Sequence, residues 1–322
     1  MKAIRIHQRG GPENLVYEDA PTPKLQTGDA LVRVYAMAIT PAELTWDETY
    51  KTREGVSRLP STPGHDVAGV VEQVAPGVSE VKVGDAVYAL TDFTRDGSAA
   101  EYVAVHAADL APKPQTLDFE RSAAVPLSGL TAWQALFDHA ALAFDQRILI
   151  HGAAGGVGSY AVQLARWRGA HVTATASPTN FEFAKKLGAN EIIDYTSGRF
   201  ETRVREVDVV LDTIGGDTLE RSWGVLRPGG MVVTLPAPPP PNKAEEYNVR
   251  SVFFIVQPNR AELIEIGKLI DAGVLRPNLA TVLPLQQAQQ AFRQGAGGHN
   301  RGKIILQVVS PSTRSARECP AA

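Results

Sequence analysis

The sequence predicts an α/β protein in which a doubly wound parallel sheet is joined to a split, irregular β-rich domain. Three observations carry that prediction. From Pro126 onward, helix-like and strand-like patterns alternate, the texture of a parallel sheet covered by helices on both faces. Near the middle of the chain, "ILIHGAAGGVG" (148–158) sets four glycines between an apolar run and an amphipathic helix. Residues 1–125 read instead as short β-like runs separated by Gly, Pro and Asp turns.

Taken in order, "KAIRIH", "ALVRVYAMAI", "VAGVVEQV", "DAVYAL" and "AEYVAVH" supply the strands of the first domain, each bounded by residues that break a ladder. The second part then reads helix (LTAWQALFDHA), strand (RILIHG), helix (157–168), strand (HVTATA), helix (FEFAKKLGA), strand (EIIDY), strand (VDVVLDTI), helix (LERSWGVL) and strand (GMVVTL). "SVFFIV" (251–256) is a sixth strand. It follows "PAPPPPNK", whose prolines cannot pair in a sheet and read as a mobile loop. A helix over 260–272, "TVLPL", a helix through Phe292 and the strand "GKIILQVV" return to the first domain. The expected domains are 1–125 with 257–309, and 126–256. The tail 310–322 is polar and proline-bearing and reads as disordered, and His299 reads as a loop residue.

The glycine turn carries the first functional reading. Gly152, Gly155 and Gly158 stand in a G-x-x-G-x-x-G spacing. Against the commoner G-x-G-x-x-G, Ala153 fills the place of a glycine. Without Cβ atoms the backbone of Gly152, Ala153, Ala154, Gly155, Gly156, Val157 and Gly158 can approach a pyrophosphate while the helix start offers N–H groups to its charge. Strand before and helix after supply the context such a motif needs. The following strand ends in "ASPTN", with no Asp or Glu to bind two ribose hydroxyls before Glu182. Ser177, Thr179 and Asn180, with Tyr195 closing the third strand, favour a 2′-phosphate, hence NADP(H) over NAD(H). No arginine stands in that loop, and only Lys185 or Lys186 could reach back to the phosphate.

Composition narrows the rest. The 322 residues carry 32 Lys and Arg against 35 Asp and Glu, a net charge of −3, so no broad field attracts nucleic acid or an anionic membrane. The single cysteine, Cys319, excludes an intramolecular disulfide and a thiolate zinc cluster. The start, MKAIRIHQRGGPENL, lacks an apolar signal core, and a reducing cytoplasm is the expected location. No tyrosine has Lys four residues on, and neither a G-x-S-x-G elbow nor a P-loop occurs.

Together, the split β domain, "TPGHDVAGVVEQVAPGVSEVKVGDAVYAL", "AAVPLSGLTAWQAL", "ILIHGAAGGVGSYAVQLAR" and the closing "GKIIL" resemble the medium-chain dehydrogenase/reductase superfamily over residues 1–309. Within it, the chain is similar to the zinc-independent quinone oxidoreductase and alkenal reductase branch. The resemblance implies a Rossmann domain beside a GroES-like catalytic domain, and hydride transfer from NADPH to a quinone or to the C=C bond of a conjugated carbonyl. Where the superfamily's alcohol dehydrogenases hold catalytic zinc, this chain has Thr40, His65 and Leu127, a set short of zinc's requirements. His65 then reads as a hydrogen-bonded packing residue oriented by Asp66. Negative charge on the substrate oxygen needs another donor. By resemblance the candidates are Tyr50, Thr131 at the start of the helix that joins the domains, and Thr40, which with Glu43 departs from the branch's N-P-x-D motif as "TPAE". Lys303 is a candidate for the cofactor pyrophosphate, although a lysine ending a loop also reads as exposed. The branch further implies a homodimer through residues 251–256. Two other readings stay open: a zinc-free alcohol or aldehyde dehydrogenase, and a non-catalytic NADP(H)-binding protein.

Overall fold

The computed structural model of the chain describes residues 1–298 and 300–309. It divides into two compact units: residues 1–127, 258–273 and 277 onward, and residues 128–257 with 274–276. Segment 274–276 goes with the second unit, where the Arg276 N–H donates to Gln163 Oε1 at 2.9 Å. His299 and the tail 310–322, expected to be loop and disorder, lie outside the described residues.

The first unit opens with an antiparallel pair, β1 (Lys2–Ile6) and β2 (Leu15–Asp19). Its main sheet takes β3 (Asp29–Ala38), β4 (Asp66–Val74), β5 (Ala86–Leu90), β6 (Tyr102–His106) and β7 (Ala111–Pro112). The short helix α1 (Phe119–Ala123), capped by the Asp118 carboxylate accepting the Arg121 N–H at 2.7 Å, packs on β3 and β4. With the core on its other face, β3 is buried almost throughout. That double covering explains why "ALVRVYAMA" is a nearly continuous apolar run rather than an alternating one.

In the second unit the sheet is parallel throughout. The helix α2 (Pro126–Trp133) begins earlier than the apolar pattern suggested, with proline at its first position, where no N–H is missed, and it runs on into a π-helical turn (Gln134–His139). Then come β8 (Arg147–Ile150), α3 (Gly156–Trp167), β9 (His171–Ala176), α4 (Phe181–Leu187), β10 (Glu191–Asp194), β11 (Val207–Asp212), α5 (Gly216–Ser222), β12 (Leu226–Thr234), α6 (Lys243–Glu246) and β13 (Arg250–Phe253). The strand order is β10-β9-β8-β11-β12-β13, the 3-2-1-4-5-6 sequence of a doubly wound sheet. Leu149, Val210 and Val232 from its centre pack with Phe200, Leu219 and Trp223.

Two expectations are corrected here. The sixth strand stops at Phe253 instead of running to Val256, because Phe253 pairs with Thr234 and β12 ends at that residue. The segment after the prolines also holds a helical turn, α6, before that strand.

The chain then returns to the first unit. Asn259 caps α7 (Arg260–Asp271), accepting the N–H groups of Ala261 and Glu262, and β14 (Leu279–Pro284), α8 (Ala288–Ala296) and β15 (Lys303–Gln307) follow. β15 lies antiparallel to β3. Its Ile304 and Leu306 join Val32, Val34, Val67 and Phe292 in the core.

Candidate functional site

The glycine turn after β8 is shaped by exclusion. Gly152 has φ +70, a left-handed conformation that side chains resist. A Cβ there would strike the Thr213 hydroxyl, and one on Gly158 would collide with the Gly152 carbonyl. Gly155 caps α3 without any side-chain hydrogen bond to the first turn. That helix start therefore keeps backbone N–H groups for an anion. The turn is buttressed from behind by residues that sequence reasoning missed. The Thr213 hydroxyl donates to the His151 carbonyl at 2.8 Å, and Asp212 accepts the N–H groups of Ile214 and Gly215, each at 3.0 Å, and the Thr234 hydroxyl. His151 is buried with both ring nitrogens engaged, Nδ1 with Thr175 and Nε2 with Ser222. Desolvation, aided by the Arg221 charge, lowers its pKa to about 3. A carboxylate ending a parallel strand in "VVLDTIGG" was the available signal for Asp212.

Beyond β9, Ser177, Thr179 and Asn180 cluster: the Ser177 hydroxyl lies 3.1 Å from that of Thr179 and accepts the Asn180 amide at 3.1 Å. β9 itself ends at Ala176, and Tyr195, one residue past β10, is 52% exposed. No carboxylate stands between Ala176 and Asn180 to repel a 2′-phosphate, whereas Asp194, which ends β10, directly precedes Tyr195.

In the first unit a second set of polar groups gathers in the interior: Glu43, His65, Asp66 and Lys303, all buried. Glu43 lies in the 3-10 turn Pro41–Thr45, and its Oε2 accepts the Gly64 N–H at 2.7 Å and lies 3.6 Å from His65 Nε2. Its other oxygen, Oε1, has no hydrogen-bond partner. Burial raises its pKa to about 7, against the Gly64 N–H and the Lys303 charge that favour the anion. The His65 ring lies between aromatic neighbours, 6.1 Å from Trp46 and 4.7 Å from Phe93, with Nδ1 3.3 Å from the Thr91 hydroxyl. Desolvation lowers its pKa to about 3, with help from the Arg58 charge.

Several candidates move accordingly. Asp66 does not orient His65: it accepts the Leu127 N–H at 2.6 Å and pairs with Lys303 at 3.0 Å. Lys303 is 7% exposed rather than solvated, and its ammonium is engaged by Asp66 and by the Thr40 hydroxyl at 3.2 Å, which argues against a pyrophosphate role. Tyr50 is withdrawn from the catalytic candidates. It is buried in the first unit's core and its phenol donates to the Leu44 carbonyl at 2.6 Å. Thr131 is buried and lies toward the C-terminal end of α2, so the helix-start geometry expected for it does not hold. Thr40 alone among the three keeps partial exposure.

Comparison with known proteins places these features. Residues 26–115 match the alcohol dehydrogenase GroES-like domain, and residues 187–306 match a domain described as zinc-binding dehydrogenase. The quinone oxidoreductase of the mouse is 32% identical, over 95% of this chain and 97% of its own. The chain belongs to the medium-chain dehydrogenase/reductase superfamily, in its quinone oxidoreductase-like branch. A mitochondrial oxidoreductase of Arthroderma benhamiae, named as zinc-binding, is 35% identical over 90% of this chain and 91% of its own. The solved quinone oxidoreductase of Coxiella burnetii superposes with a TM-score of 0.88 at 33% identity, covering 96% of this chain and 99% of that one. As a member of this superfamily the protein is a nicotinamide-dependent oxidoreductase.

The two groups the superfamily can carry fare differently. The dinucleotide fits: the cradle at Gly152 and Gly158 is one that a Cβ would fill. Catalytic zinc does not. Its three ligand places hold Thr40, whose oxygen already faces the Lys303 cation, His65, and the aliphatic Leu127. No group of three His, Cys, Asp or Glu is placed to hold a metal among the described residues.

Proposed function

We propose that the protein is a zinc-free, NADPH-dependent reductase that delivers hydride to a quinone or to the C=C bond of a conjugated carbonyl. The observation that carries this reading is the replacement of the zinc ligand set by Thr40, His65 and Leu127, with the Lys303 ammonium lodged 3.2 Å from the Thr40 oxygen. Without a Lewis acid, substrates whose charge delocalises into an enolate or quinol anion ask least of the protein. The bound nicotinamide supplies the hydride. The glycine turn holds the pyrophosphate, and the hydroxyl and amide groups of Ser177, Thr179 and Asn180, with no acid at the end of β9, favour the 2′-phosphate of NADPH. We further propose a homodimer built on β13, in a reducing cytoplasm.

The test is NADPH oxidation by metal-stripped protein over a panel of quinones, enals, enones and aldehydes, with products identified. The expected outcome is turnover with quinones or saturated carbonyl products, undiminished by chelator and weaker with NADH. One tightly held zinc per chain with chelator-sensitive turnover would defeat the metal-free part, and equal affinity for NADH the cofactor part.

A further inference from the structure

The Thr40 hydroxyl faces a neighbour that can only donate. Lys303 Nζ lies 3.2 Å from Thr40 Oγ1 and 3.0 Å from Asp66 Oδ2. An ammonium has three donors and no acceptor, so the Thr40 oxygen accepts and its own hydrogen points away from Lys303. No other hydrogen bond to that hydroxyl forms among the described residues. The row is anchored from behind, since Asp66 Oδ1 accepts the Leu127 N–H at 2.6 Å. Asp66 is fully buried and Lys303 nearly so, whereas Thr40 is only partly covered. The open end of a buried charged chain is thus a hydroxyl with its hydrogen unspent.

We propose that Thr40 is the catalytic donor to the substrate's carbonyl oxygen, and that Lys303, held by Asp66, is the positioning residue that orients and reprotonates it. This deepens the reductase reading and rests on it. A conjugated carbonyl that takes up hydride at its β-carbon would shift its π pair onto the oxygen, which becomes an enolate. The Thr40 O–H breaks as the enolate O–H forms, and a Lys303 N–H proton passes to the Thr40 oxygen. The resulting amine regains its proton from water. The enol released tautomerises to the saturated carbonyl, so each turnover consumes one hydride and one solvent proton. Both the neighbouring ammonium and the low-dielectric setting strengthen a donor aimed at developing charge.

The test pairs Thr40→Val, which keeps the shape, with Thr40→Ser, which restores the hydroxyl. Turnover of an enone and equilibrium binding of a nitrophenolate, a stable mimic of the charged oxygen, are both measured. A donor to a charged group is worth about a 10- to 100-fold change. Thr40→Val should lose about that much in kcat and in phenolate affinity while NADPH affinity and melting temperature hold, and Thr40→Ser should recover most of both. Lys303→Met should lose kcat and phenolate affinity as Thr40→Val does, but at a lower melting temperature because Asp66 is left buried without its cation. The double variant should be no worse in kcat than either single, and Lys303→Arg should retain part of the rate. Wild-type kcat and phenolate binding in Thr40→Val would overturn the proposal while leaving the reductase reading intact. A wild-type protein that binds NADPH yet turns over no enone or quinone would overturn that reading, and this proposal with it.

Discussion

Glu43 holds its proton into the neutral range because burial outweighs the Gly64 N–H and the Lys303 charge, and desolvation always disfavours the charged form. The sign for stability follows from linkage. A carboxyl whose folded pKa stands at about 7, against an ordinary 4.5, contributes stability that is complete below 4.5 and is lost as pH rises through 7, since the native state binds the extra proton in that window. Glu43→Gln removes the titration, so its stability relative to wild type should climb by about 3 kcal/mol between pH 4.5 and 8. Urea unfolding of both proteins across that range measures it, and parallel curves would refute it. His65 and His151, both held near 3, have the opposite sign: their contribution is present above 6.5 and lost as pH falls. His151, remote from the substitution, cancels in the difference, and His65, which touches Glu43, titrates in the folded state below the window compared. None of this was legible from "TPAE". The sequence showed a glutamate where the branch has aspartate, but burial and the partnerless Oε1 depend on β4 and β15 folding around it.

At the scale of elements, the glycine turn and the strands around it were readable because their periods and punctuation are local. β9 forms as "HVTATA", and α4 ends where Gly188 takes the left-handed conformation with φ +109, as a glycine past a helix should. The turn's function depends on space that a side chain would fill. Gly158→Val should therefore force α3 away from the Gly152 carbonyl and weaken NADPH binding at least 10-fold, an expectation based on the close approach that dinucleotide turns require. Cofactor fluorescence titration measures this; full affinity in the variant would remove the turn from the binding site. Where element readings missed, the partner strand or the packing decided. β13 stops where β12 stops. The predicted helix "LERSWGVL" is displaced toward Gly216, and its end tightens into a 3-10 turn at Trp223–Val225.

β13 ends the parallel sheet, and among the described residues it bonds only to β12, leaving one ladder edge unpaired. Phe253, the last residue of β13, and Phe254 after it are half-buried and Ile255 is 57% exposed, and an apolar edge of this kind invites a second copy across a two-fold axis. Light scattering should give about twice the single-chain 34.5 kDa. Ile255→Lys, an exposed change that a monomer tolerates, should return it to the single-chain mass. A single-chain mass in the wild type would sink the dimer. The α/β class and the glycine turn between β8 and α3 were legible in the sequence, because hydrophobic period, glycine spacing and turn residues act over a few neighbours. Tyr50 bonded to a core carbonyl, Lys303 buried against Asp66 and Thr40 at the open end of that pair are results of packing. Those outcomes depend on residues brought together from distant parts of the chain, Thr40 and Asp66 on one side and Lys303 on β15 on the other. Charge in an interior takes its behaviour from such neighbours and from the exclusion of water, which no local pattern records.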